Sequence, residues 1–141
     1  MKIIVASDKK TALTDMVIKT LHQKNHEVIL AGDLVKKNGK WAEIAIDAAQ
    51  HVVSGEADQG IFFCWSGTGI CIAANKVKGA RAALCSDPET AQMARKWNDA
   101  NILCLSLRAT SEATAISILD AWFSTKFDEE GLEQAHMVDR W

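Results

Sequence analysis

The residues best suited to chemistry in this chain are Ser66, Gly67, Thr68 and Gly69, set between the apolar run QGIFFCW (59–65) and the small-residue segment ICIAANK (70–76). A turn of this kind leads from a buried strand into a helix. Its backbone N–H groups add to the positive end of the helix dipole and converge on one point, which favours an anion. The pattern is neither the GxxxxGK[ST] phosphate loop nor the GxGxxG dinucleotide fingerprint, since Gly69 leads on to Ala73 and Ala74 with no third glycine in place. Spacing alone leaves two readings open: a turn that merely joins two elements, or a cradle for an anionic ligand.

The elements that must hold this turn follow a repeating rhythm. KIIVAS (2–7) is short, apolar and β-branched, and residues 11–25 then put Leu13, Met16, Val17, Thr20 and Leu21 on one helical face. HEVILAG (26–32) reads as a strand, DLVKKNGK as a polar loop, and WAEIAIDAAQHVVSG (41–55) as a helix closing on Gly55. QGIFFCW lacks polar alternation, as expected of a strand covered on both faces. TGICIAANKV is a short helix and ARAALC (80–85) a strand; Asp87 then caps, and Pro88 starts, a helix over 87–97. NILCLSL (101–107) and SEATAISILDAWFSTKF (111–127) supply the last strand and helix.

Five apolar strands alternating with helices predict a single α/β domain over 1–141, with a parallel sheet covered on both faces. Ligands of such sheets sit beyond the carboxyl ends of the strands, where the strand order reverses. That places Asp8 and Lys9, Ser66 to Gly69, Ser86 and Asp87, and Arg108 at the rim that matters. The charged tail over 128–141 has no strand pattern and ends in Arg140 and Trp141. It is expected either to dock on a second subunit or to fray.

Composition narrows the classes of partner. The 141 residues carry a formal net charge of −2, with no basic stripe of the kind a phosphate backbone requires, so nucleic acid is not expected. No apolar run approaches membrane-spanning length, so no membrane partner is expected. Asp8, Lys9 and Lys10 cut short the apolar start MKIIVAS, so a signal peptide is not expected and a cytoplasmic protein is. The four cysteines, at 64, 71, 85 and 104, show no CxxC pair and no histidine at metal-ligand spacing, so they read as buried free thiols.

SGTGICIAANKVKGARAALC followed by ARKWNDANILCLSLRAT resembles the ribose-5-phosphate isomerase B family, which includes galactose-6-phosphate isomerase subunits. The likeness runs from the opening strand and Asp8 through GTG, AANK, GARAALC and NDAN to Arg108; it fails chiefly in the loop 33–42 and in the tail. The resemblance implies a doubly wound, Rossmann-like αβα sandwich and a homodimer, or a tetramer, with active sites at the subunit interface. It also implies interconversion of aldose and ketose phosphates through an enediolate, with no metal or cofactor.

Such an isomerase needs a base, donors for the enediolate oxygen, an acid–base group for ring opening, and cations for the phosphate. The resemblance gives the oxyanion role to the N–H groups of Gly67, Thr68 and Gly69, helped by Asn75 and Asn98. The family's usual cysteine ahead of GTG is Ser66 here, and the glutamate of a second family pattern is Ile70. Candidate bases are then Cys71, whose thiolate a helix N-terminus would favour, Cys64 and, more remotely, Glu43. Trp97 stands where the family has a ring-opening histidine. Indole donates a hydrogen bond but shuttles no proton near neutrality, which suits an open-chain substrate such as a tetrose phosphate. For the phosphate, Asp8 is kept beside Lys9 in place of a histidine, Arg108 is kept, and His136 or Arg140 would stand in for a missing C-terminal arginine. Trp41 and Trp65 are expected mainly to pack, and His22, His26 and His51 to lie on the surface.

The expected function is therefore an aldose–ketose isomerase acting on a sugar phosphate, with the sugar left open. The alternatives are one subunit of a hetero-oligomeric isomerase and a non-catalytic sugar-phosphate-binding protein.

Overall fold

The computed structural model describes residues 1–141. Its strands are β1 Lys2–Ser7, β2 Glu27–Gly32, β3 Gln59–Cys64, β4 Ala82–Leu84 and β5 Ile102–Ser106. They form one sheet in the order β2-β1-β3-β5-β4 with every pairing parallel. The helices are α1 Ala12–Gln23, α2 Trp41–Val53, α3 Thr68–Ala74, α4 Pro88–Asn98, α5 Glu112–Ser124 and α6 Leu132–Met137. None of them is long and apolar enough to cross a membrane.

Period-2 alternation sends successive strand residues to opposite faces, so an unbroken apolar run fills two cores at once. Ile3, Val5, Ile61, Phe63, Leu103 and Leu105 pack with α1, α4 and α5, where Trp122 is buried and donates its indole N–H to Gln59 Oε1 at 2.8 Å. Ile4, Ala6, Phe62, Cys64, Ile102 and Cys104 face α2 and α3. The alanines 45, 48, 49, 73 and 74 let those two helices lie close to the sheet. Helix starts are set locally. Thr11, Asp87 and Ser111 each accept from the backbone N–H three residues on, satisfying a donor the helix cannot.

The chain leaves β1 toward β2 on one side and reaches β3 on the other, so the order reverses between β1 and β3. Asp8 follows the first of these strands and the Ser66–Gly69 turn follows the other.

The tail does not fray, because it folds onto its own chain. Glu129–Gly131 and Val138–Arg140 form 3-10 turns around α6, and Ala135 is buried. The Asp128 N–H donates to the Lys96 carbonyl at 2.8 Å, tying the segment to α4. Arg81 donates to both carboxylate oxygens of Asp139 at 2.8 and 2.9 Å and to Asp99 at 3.3 Å, with its side chain only 15% exposed. Both Asp139 bonds come from the one Nη1, and partial burial between two carboxylates makes this pairing stronger than an ordinary surface ion pair.

Candidate active site

Buried serines at two strand ends build the rim. Ser7 closes the turn after β1: its hydroxyl donates to the Lys9 carbonyl at 2.6 Å and accepts from the Lys9 N–H at 3.2 Å, which projects Asp8. Ser106, at the end of β5, donates to the Trp65 carbonyl at 2.8 Å, while the N–H groups of Leu107 and Arg108 bond the carbonyls of Cys64 and Trp65 at 3.0 Å. The exit from β3 is thereby held against its neighbour.

Gly67 is the N-cap of α3 in the left-handed region, at φ +77°. A Cβ there would lie 2.6 Å from Leu84 Cδ1 and 3.0 Å from backbone atoms of Leu105 and Ser106. Only glycine meets both demands. The first helical bond is Cys71 N–H to the Gly67 carbonyl at 3.3 Å. The N–H groups of Gly67, Gly69 and Ile70 have no partner within the chain, and that of Thr68 has only Ser66 Oγ at 3.4 Å. The hydroxyls of Ser66 and Thr68 bond each other at 2.7 Å.

A cavity of about 230 Å³ opens at this turn, lined by Asp8, Trp41, Cys64, Trp65, Ser66, Thr68 and Gly69. Trp41 both packs and lines it. Its ring lies against Gly69, where a Cβ would meet it at 3.1 Å, yet it stays partly exposed. Trp65 does not pack beneath the turn: it is 60% exposed, with the Lys9 ammonium 6.0 Å from its ring. Neither Lys9 nor Arg108 is ion-paired. Burial, reinforced by the nearby Asp33 charge, raises the pKa of Asp8 above the ordinary carboxylate value.

Trp97, Asn98 and Asn75 lie in a second cavity of about 420 Å³ that shares no residue with the first; Arg81, Gln134 and Val138 also line it. Asn75 is not free to serve an oxyanion, contrary to expectation. Its amide accepts from the Ala82 N–H at 2.8 Å and donates to the Ala82 carbonyl at 2.9 Å, clamping α3 to β4.

Cys71 also departs from expectation. It sits one helical turn past Gly67, so its thiol points toward β4, 3.4 Å from the Ala82 carbonyl, and not into the cavity at the turn. A hydrogen bond with Cys104 lowers its pKa, and it lines neither of the two cavities. Burial pushes Cys85 up to about 12 and raises Cys104 well above the ordinary thiol value.

Glu43 reaches back to Lys40 at 3.4 Å, and His136 bonds Asp99 at 3.3 Å and stacks on Phe127. Arg140 is exposed in the last 3-10 turn, and none of Glu43, His136 and Arg140 lines either of the two cavities. The sequence reading passed over Ser7, Ser106 and Asp33. The signal for the first two was present, as a hydroxyl closing an otherwise apolar strand. No three or more His, Cys, Asp or Glu side chains are grouped so that they would hold a metal ion.

The ribose/galactose isomerase family matches residues 3–140. Ribose-5-phosphate isomerase B of Escherichia coli strain K12 is 37% identical over 112 residues, covering 79% of this chain and 75% of that protein. The D-erythrulose-4-phosphate isomerase of Pectobacterium atrosepticum is 36% identical over 127 residues, 89% and 81% of the two lengths. The crystal structure of ribose-5-phosphate isomerase B from Mycoplasma genitalium with bound ribulose-5-phosphate superposes with a TM-score of 0.90 at 31% identity, covering 99% of this chain and 94% of that one. A likeness that runs through every strand and helix framing the two cavities leaves one assignment: the chain belongs to the ribose/galactose isomerase family.

Proposed function

We propose that the protein is an aldose–ketose isomerase acting on a sugar phosphate, in a site that two copies of the chain complete together. The observation that carries this reading is the set of unpaired N–H groups at a turn sharing its cavity with Asp8. Asp8 removes a proton from one of two adjacent carbons and returns it to the other. As the proton leaves, the electron pair moves to the carbonyl oxygen and gives an enediolate held by the N–H groups of Gly67, Thr68 and Gly69; the neighbouring hydroxyl passes its proton to that oxygen, and the carbonyl re-forms on the other carbon as Asp8 returns the first proton. A raised pKa makes a carboxylate a stronger base and brings it nearer the operating pH, as this transfer requires. Cys64 also lines the cavity but is buried. Lys9 and Arg108, unpaired after β1 and β5 on either side of β3, would supply the cations for the phosphate.

The division of the site supports a second copy. Trp97 and Asn98 of the same chain lie in the other cavity, so a substrate at the turn meets them only from a partner. Exposed Trp65, Ile72 and Leu84 supply apolar surface beside the turn for such an interface.

Proton transfer between carbons exposes the migrating proton to solvent, so turnover in D2O is expected to place deuterium in recovered D-erythrulose 4-phosphate or D-ribulose 5-phosphate. Nuclear magnetic resonance reads the label directly. Binding of these and of six-carbon sugar phosphates without any exchange would replace the isomerase by a binding protein.

A further inference from the structure

We propose that this isomerase acts only on the acyclic form of its substrate, with Trp97 as the residue that sets the restriction, and that sugar phosphates unable to close a furanose, the four-carbon ones together with D-ribulose 5-phosphate, are therefore its substrate class. The inference rests on the isomerase reading above and goes beyond it. A five-carbon aldose phosphate closes into a furanose in which O4 has added to C1. To reopen it, the C1–O4 bond must break while O4 gains a proton and the anomeric hydroxyl loses one. Nothing is oxidised or reduced, but an acid and a base must stand on the ring as well as the base that serves the carbons.

The site does not hold that additional equipment. In the larger cavity the groups beside Trp97 are amides, apolar side chains and Arg81. Indole and amide N–H groups donate hydrogen bonds without exchanging protons near neutrality, and arginine stays charged. Trp97 itself is half exposed and is the aromatic wall of this surface.

All four imidazoles are elsewhere. His22 ends α1, and His26 stacks on Phe123 beside the terminal amine at the opposite end of the sheet. His51 bonds the Asp47 carbonyl, and His136 is held between Asp99 and Phe127. In the turn cavity Asp8 is committed to the carbons, and the Cys64 residue is only 4% exposed.

A tetrose 4-phosphate needs no ring opening, because the phosphate occupies the oxygen that a furanose would use. D-Ribulose 5-phosphate is acyclic for the same reason. A cavity of about 230 Å³ between two tryptophans is in keeping with a short chain.

Enzyme titration separates the cases. With D-erythrulose 4-phosphate and D-ribulose 5-phosphate, about tenfold more enzyme is expected to give about tenfold faster conversion. With D-ribose 5-phosphate the velocity is expected to stop rising once it reaches the spontaneous ring-opening rate, measured independently by magnetisation transfer between furanose and aldehyde. Trp97→His is expected to carry the velocity past that ceiling by about 10²-fold, the usual worth of a positioned proton carrier, and Trp97→Phe to leave the ceiling in place. Velocity on ribose 5-phosphate that stays proportional to enzyme beyond the ceiling would overturn the proposal while leaving the isomerase intact. A ceiling unmoved by Trp97→His would overturn the role given to Trp97. No turnover of either acyclic ketose phosphate would overturn the isomerase reading itself, and this inference with it.

Discussion

Replacing Asp8 with asparagine is expected to lower kcat by about 10²- to 10⁴-fold, the range associated with removing a general base, and to make the protein more stable at neutral pH. The two effects have one cause. Burial and the neighbouring Asp33 raise the pKa of Asp8 above its unfolded value near 3.8, so the folded chain binds this proton more tightly than the unfolded one. Its contribution to stability is full below the unfolded pKa and is lost as pH rises through the folded pKa. Asparagine carries no charge and escapes that loss. Thermal denaturation should therefore place Asp8→Asn above the parent at pH 7, with the gap closing toward the acid side of 3.8. The parent's kcat should rise with pH through the same raised pKa, since only the carboxylate accepts a proton. An asparagine variant with undiminished turnover would make Asp8 a surface group and remove it from the chemistry.

Gly67→Ala carries the other large effect. Left-handed backbone costs a residue with a Cβ about 1–2 kcal/mol, and here the new atom also meets Leu84 at 2.6 Å and the backbone of β5 at 3.0 Å. Backbone cannot step aside as a side chain does, so the turn must move. A loss of about 2–4 kcal/mol in urea unfolding is expected, with kcat/KM down by about 10²- to 10³-fold as the N–H donors swing off the enediolate oxygen. Gly69→Ala is the control. Its backbone is not left-handed and its obstacle is the Trp41 ring at 3.1 Å, a side chain able to yield. Equal losses at the two positions would contradict the reading of the turn.

The architecture was legible because its strands are apolar runs and because α1, α4 and α5 carry side-chain caps that act within four residues. Only edges shifted. β4 is confined to Ala82–Leu84, since the N–H of Arg81 is taken by the Asn101 side chain at 2.8 Å and not by a strand partner. Asp8 and the glycine turn were legible as strand-end residues, where topology brings them together. What spacing does not carry is side-chain direction one helical turn later. Cys71 and Asn75 follow the turn closely in sequence, yet helical phase aims both at Ala82. Nor does spacing reveal that Arg81 meets Asp139, 58 residues away, and so folds the tail back over α4. Trp41 was open to two readings because one ring does both things, covering Gly69 with one part and lining the cavity with the rest.

Amide shifts of uniformly 15N-labelled protein, followed while D-erythrulose 4-phosphate is added, test the central claim most directly. The N–H groups of Gly67, Thr68 and Gly69, unbonded in the free chain apart from the 3.4 Å contact of Thr68 with Ser66 Oγ, are expected to move downfield together and to saturate with the same affinity as turnover. Saturation with those three resonances unmoved would mean that the substrate binds away from the turn, and the account would be wrong.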